Sequence, residues 1–131
     1  PLIRYRLGDR LELEDRRGDL PVIRRVIGRQ DDLLVLRDGT TRSGPMIEVV
    51  MERQRDILQY RVIQEDGDLV RIQIVAARSA DRAAVERCVL DDFRRDICAS
   101  VNWRVEFVPG LAPDRSGKLR MLISSVGVPR A

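Results

Sequence analysis

The sequence predicts an α+β fold, a small antiparallel or mixed sheet with two helices on one face, preceded by short β-strands and a β-hairpin. Three observations carry this. Residues 57–63 and 69–75 alternate apolar with polar around the turn Glu65-Asp66-Gly67-Asp68, the clearest hairpin pattern in the chain. Val85, Val89, Phe93 and Ile97 recur every four residues, as the buried stripe of a long helix does. Trp103, Val105 and Phe107 then alternate in a following strand.

Taken in order, Leu2 to Leu7 alternates as a strand closed by Gly8-Asp9. Leu11 and Leu13 alternate with Glu12 and Glu14 in a second strand, Arg16-Arg17-Gly18-Asp19 turns, and Val22 to Ile27 makes a third. These three read as part of a small sheet or barrel whose remainder lies outside this chain. Gly28-Arg29-Gln30-Asp31-Asp32 interrupts the pattern as a linker. Leu33-Leu34-Val35-Leu36 with the tight-turn signal Asp38-Gly39 gives a β-hairpin over 33–42.

Ser43-Gly44-Pro45 starts a helix, with Ser43 as N-cap and proline in the first turn. Its apolar face is read as Met46, Val49 and Val50, and it ends before Asp56. In the next strand Leu58, Tyr60 and Val62 share one face. In its partner Val70, Ile72 and Ile74 face the core, with Arg71 and Gln73 outward. Ser79 is read as the cap of the long helix, and Cys88 falls on the side of its stripe. Pro109, Gly110 and Pro113 make an irregular loop, and Ser116-Gly117-Lys118 feeds a last apolar segment, Leu119 to Ile123.

The chain has 131 residues, 44% hydrophobic and 34% charged, which fits one ordinary globular domain or one domain and a piece of another. It begins at Pro1 with a strand pattern close behind, which reads as a piece of something longer. No apolar run is long enough to span a bilayer, so no membrane partner is expected. The net charge is only +3 and acids sit beside the basic pairs, so a solvated surface is expected rather than a nucleic-acid partner.

Cys88 and Cys98, placed on one helix, stand ~15 Å apart along its axis, beyond disulfide reach. Two free thiols point to a reducing, cytoplasmic setting. Histidine is absent, which removes His-based nucleophile systems and most zinc sites, and no metal site is expected.

One residue stands apart. Lys118 is the only lysine, against 23 arginines. Guanidinium is a rigid planar fork, whereas the ammonium is a compact point charge on a flexible stem, able to follow a small oxyanion. Gly117 before it permits backbone geometry closed to other residues.

Three polar turns stand beside strands: Tyr5-Arg6-Leu7-Gly8-Asp9, Gly28-Arg29-Gln30-Asp31-Asp32 and Ser116-Gly117-Lys118. Together, in this order, they resemble the closing part of the adenylate-forming superfamily of acyl-CoA ligases. Those enzymes carry Tyr-x-Thr-Gly-Asp, then Gly-Arg-x-Asp-Asp, then a terminal Ser-Gly-Lys. The closest likeness is to the phenylacetate–CoA ligase group and its CapK-like branch, which Pro1 to Arg6, Gly28 to Leu34, Arg37-Asp38-Gly39 and Gln59 to Glu65 also fit. The resemblance covers essentially the whole chain.

The resemblance implies that residues 1–28 end a large N-terminal domain, 29–32 form a hinge, and 33–131 form a C-terminal α+β lid. It implies a two-step reaction: a carboxylate attacks ATP to give acyl-AMP and pyrophosphate, and a thiol, usually of coenzyme A, displaces AMP. By position, Lys118 would contact the carboxylate and α-phosphate oxygens as the catalytic residue. Asp9 would accept hydrogen bonds from the ribose hydroxyls, Arg29 would lie near the ribose or phosphate, and Asp31 would be the hinge where backbone rotation swings the lid. The hairpin over 33–42 would line the pantetheine channel. Leu7 stands where the family has threonine, which touches only a secondary contact.

ATP, AMP, Mg2+ and coenzyme A are implied for the full-length enzyme and none for this piece. The family's phosphate loop and adenine segment lie in the N-terminal adenylation domain, which would be the partner, so the piece alone is expected to be inactive. The acid, the acyl acceptor and the oligomeric state have no signature here.

Two other readings stay open. Asp9 and Asp38 also suit ordinary turns, and Arg29 could pair with Asp31 or Asp32. The chain could then be a stand-alone α+β module binding a small ligand or nucleic acid, or a degenerate ligase relative serving as a scaffold. The RNA version is disfavoured by 4% aromatics, no paired aromatic platform and no basic stripe.

Overall fold

The computed structural model describes residues 9–17, 20–29, 33–114 and 117–126. The strand read at Leu2–Leu7 lies outside the described residues. β1 (Asp9–Arg17) and β2 (Leu20–Arg29) form an antiparallel two-stranded sheet. Asp9 is the first described residue of β1, and β2 runs on through Gly28 and Arg29.

β3 (Leu33–Val35) and β4 (Thr41–Ser43) form the second hairpin, as its turn chemistry predicts. Gly39 N–H donates to the Leu36 carbonyl at 2.9 Å and Leu36 N–H to the Thr40 carbonyl at 2.8 Å. Gly39 takes φ +79°, the left-handed position of a three-residue hairpin loop.

The main sheet has four strands in the order β7-β6-β5-β8: β7 (Asn102–Phe107), β6 (Leu69–Ala76), β5 (Ile57–Gln64) and β8 (Leu122–Ser124). The central β5–β6 pair is antiparallel, while β7 joins β6 and β8 joins β5 in parallel, so the sheet is mixed. Between β4 and β5 lies α1 (Gly44–Met51), and between β6 and β7 lies α2 (Arg82–Asp96). Both helices bury their apolar stripes on one face of this sheet, in a core with Val62, Val70, Ile72, Ile74 and Trp103. Phe93 meets Trp103 edge-on, centroids 4.8 Å apart.

The alternation of β6 and the α2 stripe from Val85 to Ile97 are as expected, all of them buried. Four local expectations are corrected. In α1 the buried stripe is Ile47, Val50 and Met51, while Met46 and Val49 are exposed. The segment carries two overlapping apolar stripes, and the i, i+3, i+4 set that includes Met51 faces the sheet. Leu58 is exposed because the β5 register shifts between Ile57 and Gln59, so one residue drops out of the alternation.

The α2 cap is Asp81, whose carboxylate accepts from Ala84 N–H at 3.1 Å; Ser79 lies two residues short. The cysteines do not share the helix stripe. Cys88 is exposed, and Cys98 lies beyond the helix end, half-buried beside the Ser100 hydroxyl; both are free thiols.

Tyr60 is half-buried beneath α1 and its phenol is raised to about 12, first by burial and then by Glu48 and Glu52. The unfolded chain ionises this group at the ordinary tyrosine value, so the stabilising difference is complete below pH ~10 and is lost as the pH climbs to about 12. Stability measured by urea melts is expected to fall across that alkaline window. Tyr60→Phe should flatten the fall, and an unchanged slope would show that the group does not drive it.

Candidate functional site

Asp9 and Arg29 are placed at one rung of the β1–β2 ladder, as Cα partners, with Arg10 opposite Gly28 beside them. Residues 20 positions apart are thus juxtaposed at the end of the hairpin where the chain enters the linker. Asp31 lies outside the described residues. The Asp9–Arg29 rung belongs to the small hairpin, and Lys118 belongs to the loop before β8.

That loop is built in a definite way. It leaves β7 at Phe107, passes Pro109-Gly110-Leu111-Ala112-Pro113, and returns to the sheet where Val62 N–H donates to the Met121 carbonyl at 2.8 Å. Near its far end, Gly117 N–H donates to the Asp114 carbonyl at 3.0 Å, and Asp114 N–H to the Lys118 carbonyl at 2.9 Å. Gly117 sits at φ +79°. This is the bonding pattern of the Leu36–Thr40 loop, a β-turn followed by a left-handed glycine. Aspartate at the first turn position and glycine at the fourth are the residues that such a turn favours. The Asp114 carboxylate adds a bond, accepting from Lys118 N–H at 3.2 Å.

Three bonds to Asp114 therefore fix the backbone of Lys118, while its side chain is exposed. Among the described residues no acceptor is bonded to its ammonium. A group so placed keeps its charge available to an anion and pays little ordering cost at the backbone when one arrives.

At the base of the loop the Arg61 guanidinium, on the sheet face away from the helices, donates through Nε to the Arg120 carbonyl at 3.1 Å and through Nη2 to the Ala112 carbonyl at 2.6 Å. In the sequence Arg61 stands only as an outward position of an alternating strand, within the Gln59 to Glu65 segment that carries part of the resemblance. Asp114 did carry one, as the first residue of Asp-x-x-Gly.

The 33–43 hairpin buries Leu33, Leu34, Val35 and Leu36, each 5% exposed or less. Its tip, Arg37 to Thr40, is exposed, and Thr41 to Ser43 are half-buried. Arg37 pairs with Asp68 of the β5–β6 turn, and Asp38 caps the tip by accepting from both the N–H and hydroxyl of Thr40. Those bonds hold the Asp38 carboxyl below the usual carboxylate range. The leucine run is thus core, while the tip and the half-buried β4 are the parts of the hairpin that reach solvent.

Among the described residues no group of three or more Cys, Asp and Glu side chains is assembled for a metal ion. Among the described residues no helix is long and apolar enough to cross a membrane.

Residues 34–125 match the family described as the CapK C-terminal domain. Protein CapK of Staphylococcus aureus is 27% identical over 135 residues, covering 96% of this chain but 29% of that protein. Among solved structures, fatty acyl-adenylate ligases from E. coli and L. pneumophila superpose with a TM-score of 0.60 at 21% identity, over 86% of this chain and 20% of theirs. An open conformation of 2-hydroxyisobutyryl-CoA ligase in complex with 2-HIB-AMP and CoA gives 0.56 at 17% identity, over 88% and 27%. Acetoacetyl-CoA synthetase from Streptomyces lividans gives 0.55 at 21% identity, over 77% and 15%. The structural likeness is one of fold, and the chain spans less than a third of the length of each of these proteins.

Proposed function

The chain belongs to the CapK C-terminal domain family, and from that premise we propose that it is the mobile lid of an adenylate-forming acid–thiol ligase, with Lys118 as its catalytic group. The observation that carries the reading is the lone lysine, exposed, with Gly117 in the left-handed region before it and three hydrogen bonds linking Asp114 to Gly117 and Lys118. The ligase fold of the neighbours supports it.

In this reading the lid closes on an N-terminal adenylation domain that binds ATP and a carboxylic acid. Both reacting partners are anions, so attack of the carboxylate on the α-phosphate brings like charges together. The Lys118 ammonium offsets that repulsion and stabilises the charge of the transition state. Asp9 and Arg29, partners on one rung, take the ribose hydroxyls and the ribose–phosphate region at the mouth of the hinge, and Asp31 supplies the rotation. Mg2+ would enter with ATP and offset phosphate charge; among the described residues no cluster of carboxylates is assembled to hold it. Rotation then withdraws Lys118 and brings the hairpin tip at Arg37–Thr40 toward the thiol acceptor, with coenzyme A the expected one.

The full-length protein is expected to exchange labelled pyrophosphate into ATP only when a carboxylate is present, and residues 1–131 alone not to do so. Exchange by the isolated chain would overturn the lid reading. A full-length protein that exchanges with no acid in a broad panel would overturn the ligase reading.

A further inference from the structure

We propose that Arg61 is the positioning residue of the Lys118 loop, a forked clasp that holds both ends of the loop at one distance. The inference rests on the ligase reading of Lys118. Arg61 sits on β5, an element whose neighbours Val62 and Gln64 are fully buried, so its backbone is anchored by the core. Its Nε and Nη2 reach the carbonyls of Arg120 and Ala112, which stand on either side of the Asp114–Lys118 turn. Both donors belong to one planar group, so the two strands of the loop are held to the geometry of that plane.

Elsewhere the two strands are tied to the sheet at the base of the loop: Val108 N–H donates to the Ile74 carbonyl at 2.9 Å on the incoming side, and Val62 N–H to the Met121 carbonyl at 2.8 Å on the outgoing side. Beyond Val108 the incoming side passes Pro109 and Pro113, which have no N–H to donate. Without the clasp the turn would keep its internal bonds to Asp114 but move as a unit relative to the sheet. An ordinary exposed strand arginine would show neither bond. Two carbonyl bonds across a loop of about ten residues are a structural connection that lysine, a compact ammonium without the fork, cannot reproduce in full.

Misplacing a catalytic group by about 1 Å can cost on the order of 10²-fold in rate. In the full-length ligase, Arg61→Ala is therefore expected to lower kcat for adenylation by up to about 10²-fold, with KM for the acid and ATP nearly unchanged. Arg61→Lys should fall between it and the parent. Thioester formation from preformed acyl-adenylate should be spared in both, because the lid then presents a different surface.

Hydrogen exchange of the same full-length variants supplies the second readout. Amides of 114–120 should exchange faster while those of β6 remain as protected as in the parent. Unchanged exchange in 114–120 would overturn the clasp. Loss of both half-reactions together, or faster exchange in β6, would make Arg61 a merely structural residue and also overturn it. Faster exchange in 114–120 with adenylation intact would overturn Arg61 as a positioning residue, whereas the ligase reading of Lys118 fails only if Lys118→Ala also leaves adenylation intact, so the two failures are distinguishable.

Discussion

Replacing Lys118 by alanine in the full-length ligase is expected to lower acid-dependent pyrophosphate exchange by on the order of 10²–10³, while thioester formation from preformed acyl-adenylate continues. The split follows from where the charge is needed. In the first half-reaction a carboxylate approaches an anionic phosphate, and an ammonium between them acts more strongly on the transition state than on the separated reactants. In the proposed second half-reaction the leaving group would be AMP, the lid would have turned, and the same side chain would have no anionic pair to bridge. The fold should not register the change. Lys118 is exposed, its backbone bonds to Asp114 do not involve the side chain, and alanine tolerates the same conformation. Equal thermal melting of parent and variant would establish that. Arginine at this position should not restore the rate, since a wider planar group cannot follow both oxyanions as a point charge can. A variant in which both half-reactions fall equally, or neither falls, would remove Lys118 from the mechanism.

What could be read beforehand divides along the range of the forces involved. The β6 alternation at Val70, Ile72 and Ile74 and the α2 repeat from Val85 to Ile97 are local periodicities whose faces are buried as expected. Lys118 stands out in the sequence because a residue type used once among so many arginines invites a chemical reason. The misread details depend on partners far along the chain. The β5 bulge that exposes Leu58 arises from its pairing with β6. The face of α1 was ambiguous between two overlapping stripes until the sheet selected Ile47, Val50 and Met51.

The juxtaposition of Asp9 with Arg29 needed the β1–β2 register, although each residue had been singled out separately. The Arg61 bonds to Ala112 and Arg120, more than fifty residues away, have no local trace at all. The hairpin leucines illustrate a different limit. A run such as Leu33–Leu36 signals burial, and the resemblance alone gave the hairpin a channel to line; the leucines are core, and the tip and β4 are the parts that reach solvent.

Gln64→Leu is expected to be the most destabilising single change outside the apolar core, at about 2–6 kcal/mol for two orphaned backbone groups. Gln64 is the buried polar residue at the junction of three elements. Its Nε2 donates to the Val35 carbonyl at 2.6 Å, and its Oε1 accepts from Val35 N–H at 2.9 Å and from the Ser124 hydroxyl at 2.8 Å. The side-chain amide thus acts as a peptide unit, giving β3 the second ladder partner that no strand provides and tying β8 to the same point. Val35 is buried, so neither its N–H nor its C=O finds water when the amide is gone. Against a typical domain stability of roughly 5–15 kcal/mol, the loss would leave the fold marginal. Urea unfolding should show a much lower midpoint, and hydrogen exchange should show the 33–43 hairpin loosening first.

Gln64→Glu separates hydrogen bonding from shape. As a carboxylate it accepts from Val35 N–H and Ser124 but cannot donate to the Val35 carbonyl, and burial disfavours its charge. Its folded pKa is therefore raised above the unfolded value, and the protonated acid, which can donate, recovers part of the lost bonding. The Glu variant should accordingly gain stability relative to the parent as the pH is lowered from 7 toward 5, the opposite of the usual carboxylate trend. A leucine variant within about 1 kcal/mol of the parent, the size of one ordinary net hydrogen bond, would mean that the amide clamp does not hold the hairpin to the sheet.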